Sequence, residues 1–109
     1  MRPDRPLDRD EDDWLWFTLD DAHELVQASL ADWVIWMAED PTRRIVRQTQ
    51  AGEAWVSTVF LGLNLHGNLF ETAVFREGDE GAEILARSAS WADAEEMHAR
   101  AVESYTARL

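Results

Sequence analysis

The run Ala54-Trp55-Val56-Ser57-Thr58-Val59-Phe60-Leu61-Gly62-Leu63 constrains the fold more than any other part of the chain. Its β-branched and aromatic side chains lose rotamer freedom in a helix but fit a pleated surface. Alternation places Trp55, Val59, Leu61 and Leu63 on one face and Val56, Phe60 and Gly62 on the other. Apolar residues on both faces predict a central strand covered on both sides. Such a strand needs neighbours, and the flanking turn signals supply them. Gly52 separates it from residues 43–50, which are polar around Ile45 and Val46, and residues 64–68 lead into a second apolar run at 69–76. Residues 78–81 then turn into a last strand at 83–87. Connections this short join antiparallel neighbours, so the expectation is a meander of about four strands.

Helices are expected on either side of the meander. Ser29 with Asp32, and Ser90 with Asp93, are capping signals: the Ser oxygen accepts a first-turn backbone N–H and the acid favours the positive helix end. After Ser29, the residues Leu30, Trp33, Val34 and Met37 recur at helical spacing until Asp40-Pro41 stops the helix. Trp36 falls off the centre of that stripe and is a candidate rim for a contact surface. After Ser90, one face carries Ala94, Met97, His98, Ala101, Val102 and Tyr105, opposite Asp93, Glu96, Arg100 and Glu103. That face is expected to pack on the sheet through residues 91–108. Upstream, the aromatic run from Trp14 to Leu19, the turn residues Asp20-Asp21-Ala22-His23 and the segment from Glu24 to Ala28 predict a hairpin. A helix over 20–38 is the competing reading, because Asp, Ala, Glu and Leu also suit one. The expected fold class is α+β: hairpin, helix, antiparallel meander, and a carboxy-terminal helix on the sheet. A single domain over 14–109 follows an acidic tail, residues 1–13, expected to be flexible.

Composition excludes several functions. The absence of cysteine removes disulfides, thiolate metal sites and a Cys nucleophile, and points to a reducing compartment, the cytoplasm. No apolar stretch follows Met1-Arg2-Pro3-Asp4-Arg5-Pro6, and no run approaches the ~20 residues of a membrane span, so neither export nor membrane insertion is expected. The 22 acids stand against 10 arginines and no lysine, a net charge of -12 that argues against direct nucleic-acid binding. Arg43, Arg44 and Arg47 form the only basic cluster and read as a solvated strand face. Asp8, Asp10 and Asp12 match the opening of an EF-hand loop, but Asp13 and Leu19 stand where Gly and Glu are required, so calcium is excluded there.

The block Val56 to Leu63, then Leu69-Phe70-Glu71-Thr72 with Val74-Phe75, then Ser90-Trp91 with Ala94 and His98, resembles a family of short uncharacterised proteins encoded by tailed bacteriophages and prophages. The similarity also takes in Ala31-Asp32-Trp33 and Trp36 and spans roughly residues 14–102. It implies a phage or prophage origin and carries no established activity. Relatives tend to have an Asp-His pair and a longer Gly-Pro-rich loop where this chain has Asn64-Leu65-His66-Gly67-Asn68, so any site in that loop is altered here.

Two enzymatic constellations can be written down. Ser57, His66 and Glu71 make a nominal triad, but Ser57 lies inside the central strand without the strained turn a nucleophile needs. Glu95-Glu96-Met97-His98 contains one Glu-x-x-His, whereas a di-iron bundle needs two copies and further carboxylates. The simpler reading of His98 is a partly buried residue hydrogen-bonded to the sheet. No phosphate-binding glycine loop is present, and neither cofactor nor metal is expected. The first functional expectation is therefore a small acidic, non-enzymatic accessory protein that binds a protein with a basic surface. Its sharper form is an anti-CRISPR-like or DNA-mimicking inhibitor of a host nucleic-acid-binding or defence protein. Trp36 and the acids Glu77, Asp79, Glu80 and Glu83 are the candidate contact residues. The alternatives are a small hydrolase or metal-dependent enzyme using His66, Glu71 and His98, and a homodimeric structural or assembly protein.

Overall fold

A computed structural model describes residues 15–78 and 80–107. The expected tail, together with Trp14 and Asp79, lies outside the described residues. The elements run β1 (Trp16–Leu19), β2 (Leu25–Ala28), α1 (Leu30–Glu39), a 3-10 turn (Pro41–Arg44), β3 (Ile45–Ala51), β4 (Ala54–Leu65), β5 (Asn68–Arg76), β6 (Glu83–Ser88) and α2 (Trp91–Thr106). The fold is α+β, with an antiparallel six-stranded sheet. The strands β3, β4, β5 and β6 form the meander, and the hairpin β1–β2 joins it through β4. Along one edge, β4 is shared: its first half pairs with β3, and Leu63 pairs with Trp16 of β1 further on.

Local chemistry sets the boundaries. Asp20 Oδ1 accepts the backbone N–H groups of Ala22 and Glu24 at 2.8 and 2.9 Å, closing the β1–β2 turn and ruling out a helix through residues 20–28. Ser29 and Ser90 cap α1 and α2, each accepting from the third residue on at 3.1 Å. Arg43 and Arg44 belong to the 3-10 turn and not to a strand, because Asp40 caps that turn through Thr42 and Pro41 occupies its start. The connection expected over 64–68 shortens to His66-Gly67, both at positive φ (58° and 85°), with Leu65 and Asn68 paired across it.

Coverage of β4 differs from the sequence expectation. Val56, Thr58 and Phe60 are fully buried, yet Trp55 and its cross-strand neighbour Phe75 are 37% and 43% exposed. Both helices lie on the same side of the sheet: Ala94 of α2 and Trp36 and Met37 of α1 join one cluster with Phe60, Phe70, Leu19 and Leu69. A second cluster unites Ala51, Ala54, Val56 and Val74 with Ala101 and Tyr105 of α2. Among the described residues, no helix covers the other face of the sheet, where Trp55 and Phe75 stand exposed.

Val102 packs against that second cluster from α2. Replacing it with Asp places an unpaired charge on the sheet-facing side and is expected to cost about 2 kcal/mol, roughly 10 °C in melting temperature. Thermal denaturation followed by circular dichroism checks this, and a midpoint equal to wild type would refute the helix register.

Candidate functional site

At about 3.6 residues per turn, α1 is apolar almost all the way round. Trp33, Trp36 and Met37 occupy the side turned to the sheet, and Leu30, Ala31, Val34, Ile35 and Ala38 occupy the other, leaving Asp32 and Glu39 as a narrow polar strip. A helix of this composition is ordinarily enclosed by protein on every side. Here no residue of α1 is buried, and Leu30, Val34 and Ile35 are 51%, 49% and 55% exposed. Leu25 and Val26 of the preceding strand are exposed as well. The segment from Asp20 to Thr42 contains six acids (Asp20, Asp21, Glu24, Asp32, Glu39, Asp40) and no basic residue other than His23. The surface is thus apolar at its centre and bordered mainly by acids, of which Glu39 is paired with Arg43 at 3.3 Å. Asp40 holds its charge firmly, since hydrogen bonds from the Thr42 hydroxyl and backbone N–H keep its carboxyl below the usual range.

The inward side of α1 departs from the expected stripe. Trp36 and Phe60 meet edge to face at 5.7 Å between ring centres, and the Arg43 guanidinium lies over the Trp36 ring at 4.5 Å from its centre while donating to the Trp36 carbonyl. Trp36 is therefore a packing residue capped by a cation, and Leu30 and Val34 take the open side instead. Periodicity could not choose between the sides of a helix that is apolar on both. The all-round apolar pattern of α1 was itself the sequence signal for the surface it presents.

The acid cluster sits at the other end of the sheet. Glu77, Glu80 and Glu83 are exposed around the β5–β6 connection, with Glu83 3.2 Å from Arg76. Asp79 lies outside the described residues.

The residues of the enzymatic alternative are not brought together. His98 is 1% exposed, between the sheet and α2, with Nδ1 2.8 Å from the Thr58 hydroxyl and Nε2 2.9 Å from that of Thr49. The Thr58 hydroxyl lies 2.8 Å from that of Thr72, completing a chain of three threonines around one imidazole. Burial, followed by the positive field of Arg47, lowers the His98 pKa below the ordinary 6.5. Glu71 adjoins Thr72 along β5 and so projects to the opposite face of the sheet, where it pairs with Arg87 at 3.3 Å. His66 stands exposed in the β4–β5 turn. Ser57 is buried on β4, with the Gln48 amide donating to its hydroxyl at 3.1 Å. Among the described residues, no group of three or more His, Asp or Glu side chains could hold a metal ion, and no helix is long and apolar enough to cross a membrane.

No protein-family model, curated protein or solved structure matches the chain.

Proposed function

We propose that this chain is a non-catalytic binding module that seats the open side of α1 against an apolar patch of a protein partner whose surroundings carry Arg and Lys. The observation that supports this reading is an all-round apolar helix left half exposed beside a segment with six acids and no Arg or Lys. Exposed apolar patches with polar borders mark interaction surfaces. A net charge of -12 speeds encounter with a basic partner and disfavours acidic ones. A second copy of the chain is a poorer occupant, because identical acidic segments would face each other across the two-fold axis. With the resemblance to phage and prophage proteins, the reading becomes an accessory protein that occupies the nucleic-acid-binding surface of a host or defence protein, in the manner of an anti-CRISPR or DNA mimic.

The test is a tagged copy expressed in its native host, compared with Ile35→Asp and with reversal of Glu77, Asp79, Glu80 and Glu83 to Lys. Ile35→Asp is expected to weaken partner binding by about tenfold or more, since a charge in a desolvated contact costs over 1.4 kcal/mol, with the fold intact. The quadruple reversal is expected to slow association at low salt and to change stability little, because exposed charges contribute little to folding. Binding unchanged in Ile35→Asp would discard the α1 surface. Association rates equal at low and high salt for both wild type and the reversal would discard the electrostatic part.

A further inference from the structure

Six arginines lie between positions 43 and 100, and five are matched with a carboxylate at 3.2 to 3.9 Å: Arg43 with Glu39, Arg47 with Glu95, Arg76 with Glu83, Arg87 with Glu71 and Arg100 with Glu96. Among the described residues, Arg44 alone has no such partner, in a chain where acids outnumber arginines 22 to 10. Arg44 also lines a groove of ≈ 600 Å³ whose other walls include Trp16, Trp33, Met37, Leu61 and Leu63. Trp16 and Trp33 form a tilted aromatic pair, 4.7 Å between centroids, and the Trp33 indole N–H donates to the Leu61 carbonyl at 3.2 Å. The Trp33 side of the aromatic wall is thus held in place, with its indole N–H engaged by backbone. A groove of several hundred Å³ with apolar walls and one convergent charge is the usual form of a small-ligand site.

We propose that this groove binds a small organic carboxylate with an apolar body: the carboxylate pairs with the Arg44 guanidinium and the body lies against Trp16, Trp33, Leu61 and Leu63. The planar guanidinium matches a carboxylate with two parallel N–H donors, and Arg44 is the one charged side chain among the groove's lining residues. The site does not depend on the partner surface above, because Ile35 points away from the side of α1 that carries Trp33 and Met37. An Ile35→Asp variant leaves the groove unaltered, so failure of one reading leaves the other standing.

The experiment is calorimetric titration of the full chain with octanoate and, separately, with octanol. Octanoate is expected to saturate with a Kd of about 0.1–1 mM, the range open to so small a ligand, and octanol to bind about tenfold more weakly. Arg44→Gln is expected to reduce octanoate to the affinity of octanol without moving the melting temperature, and Arg44→Lys to restore part of the difference. Absence of saturable binding, equal affinity for acid and alcohol in the wild type, or octanoate binding unaffected by Arg44→Gln would each overturn the proposal. A dimer in sedimentation that Arg44→Gln dissociates would assign the groove to a second copy of the chain and overturn it. Binding of octanoate by an Asp12→Asn, Asp13→Asn double variant, where wild type shows none, would assign the groove to the chain's own acids, with the same consequence.

Discussion

Gly62→Ala is expected to lower stability by about 3–5 kcal/mol, a large share of the total for a domain of ordinary stability. Gly62 is buried in β4 at φ +74°, in the left-handed region where an L side chain costs about 1–2 kcal/mol. A Cβ there would lie 2.7 Å from the Phe17 carbonyl oxygen and would collide with the indole nitrogen of Trp33. The carbonyl belongs to β1 and cannot withdraw without disturbing the β1–β4 contact, and the indole cannot withdraw without breaking its bond to Leu61. Gly78→Ala and Gly81→Ala are the controls: their φ values are +89° and +82°, but a Cβ at either meets nothing within 4 Å. They should show the backbone strain alone, about 1–2 kcal/mol. Urea denaturation of the three variants separates the contributions, and a Gly62→Ala loss no larger than that of Gly78→Ala would refute the close approach.

His98→Leu is expected to cost about 3 kcal/mol, because it removes the group that satisfies two hydroxyls in the interior. A neutral imidazole serves the chain well: one ring nitrogen donates to a threonine, the other accepts, and donation runs in one direction from Thr49 to Thr72 or the reverse. Protonation would make both nitrogens donors and place a charge where water cannot reach it. Because the folded pKa of His98 lies below its unfolded value of about 6.5, the unfolded chain takes up more protons as the solution is acidified. The contribution of His98 to stability is therefore complete above about pH 6.5 and is lost as pH falls toward the folded pKa. Denaturation midpoints at neutral and mildly acid pH check the sign: wild type should lose stability between them, and His98→Leu should lose less.

The sequence was most legible where one physical requirement acts on few residues. The two Ser-x-x-Asp caps fall at the first turns of α1 and α2, and the glycines and asparagines of the turns delimit the meander. His98 is hydrogen-bonded to the sheet as expected, though buried more completely than the partly buried position its helix face suggested. What escaped the sequence depended on elements remote in the chain. Nothing in the alternation of β4 could tell that both helices would choose the same face, leaving Trp55 beside solvent. Stacking of His23 on Trp91, 3.7 Å apart and 10° from parallel, joins residues 68 positions apart and has no local signal. That Arg44, among the described residues, has no carboxylate partner became visible only when Arg43, Arg47, Arg76, Arg87 and Arg100 had found theirs.

That stacked pair has a mechanical consequence. The hairpin and α1 are joined to the rest of the molecule through one buried residue, Leu19, and through His23 on Trp91, Trp36 on Phe60 and Trp33 on the Leu61 carbonyl, whereas α2 closes over β3, β4 and β5 with four buried residues (Ala94, His98, Ala101 and Tyr105). Cooperative opening follows such differences in burial. The amides of residues 16–39 are therefore expected to exchange with solvent sooner than those of β4 and β5, a difference that hydrogen exchange would check. A partner seated on Val34 and Ile35 would slow that exchange, because it binds the folded arrangement of these residues and not an opened one.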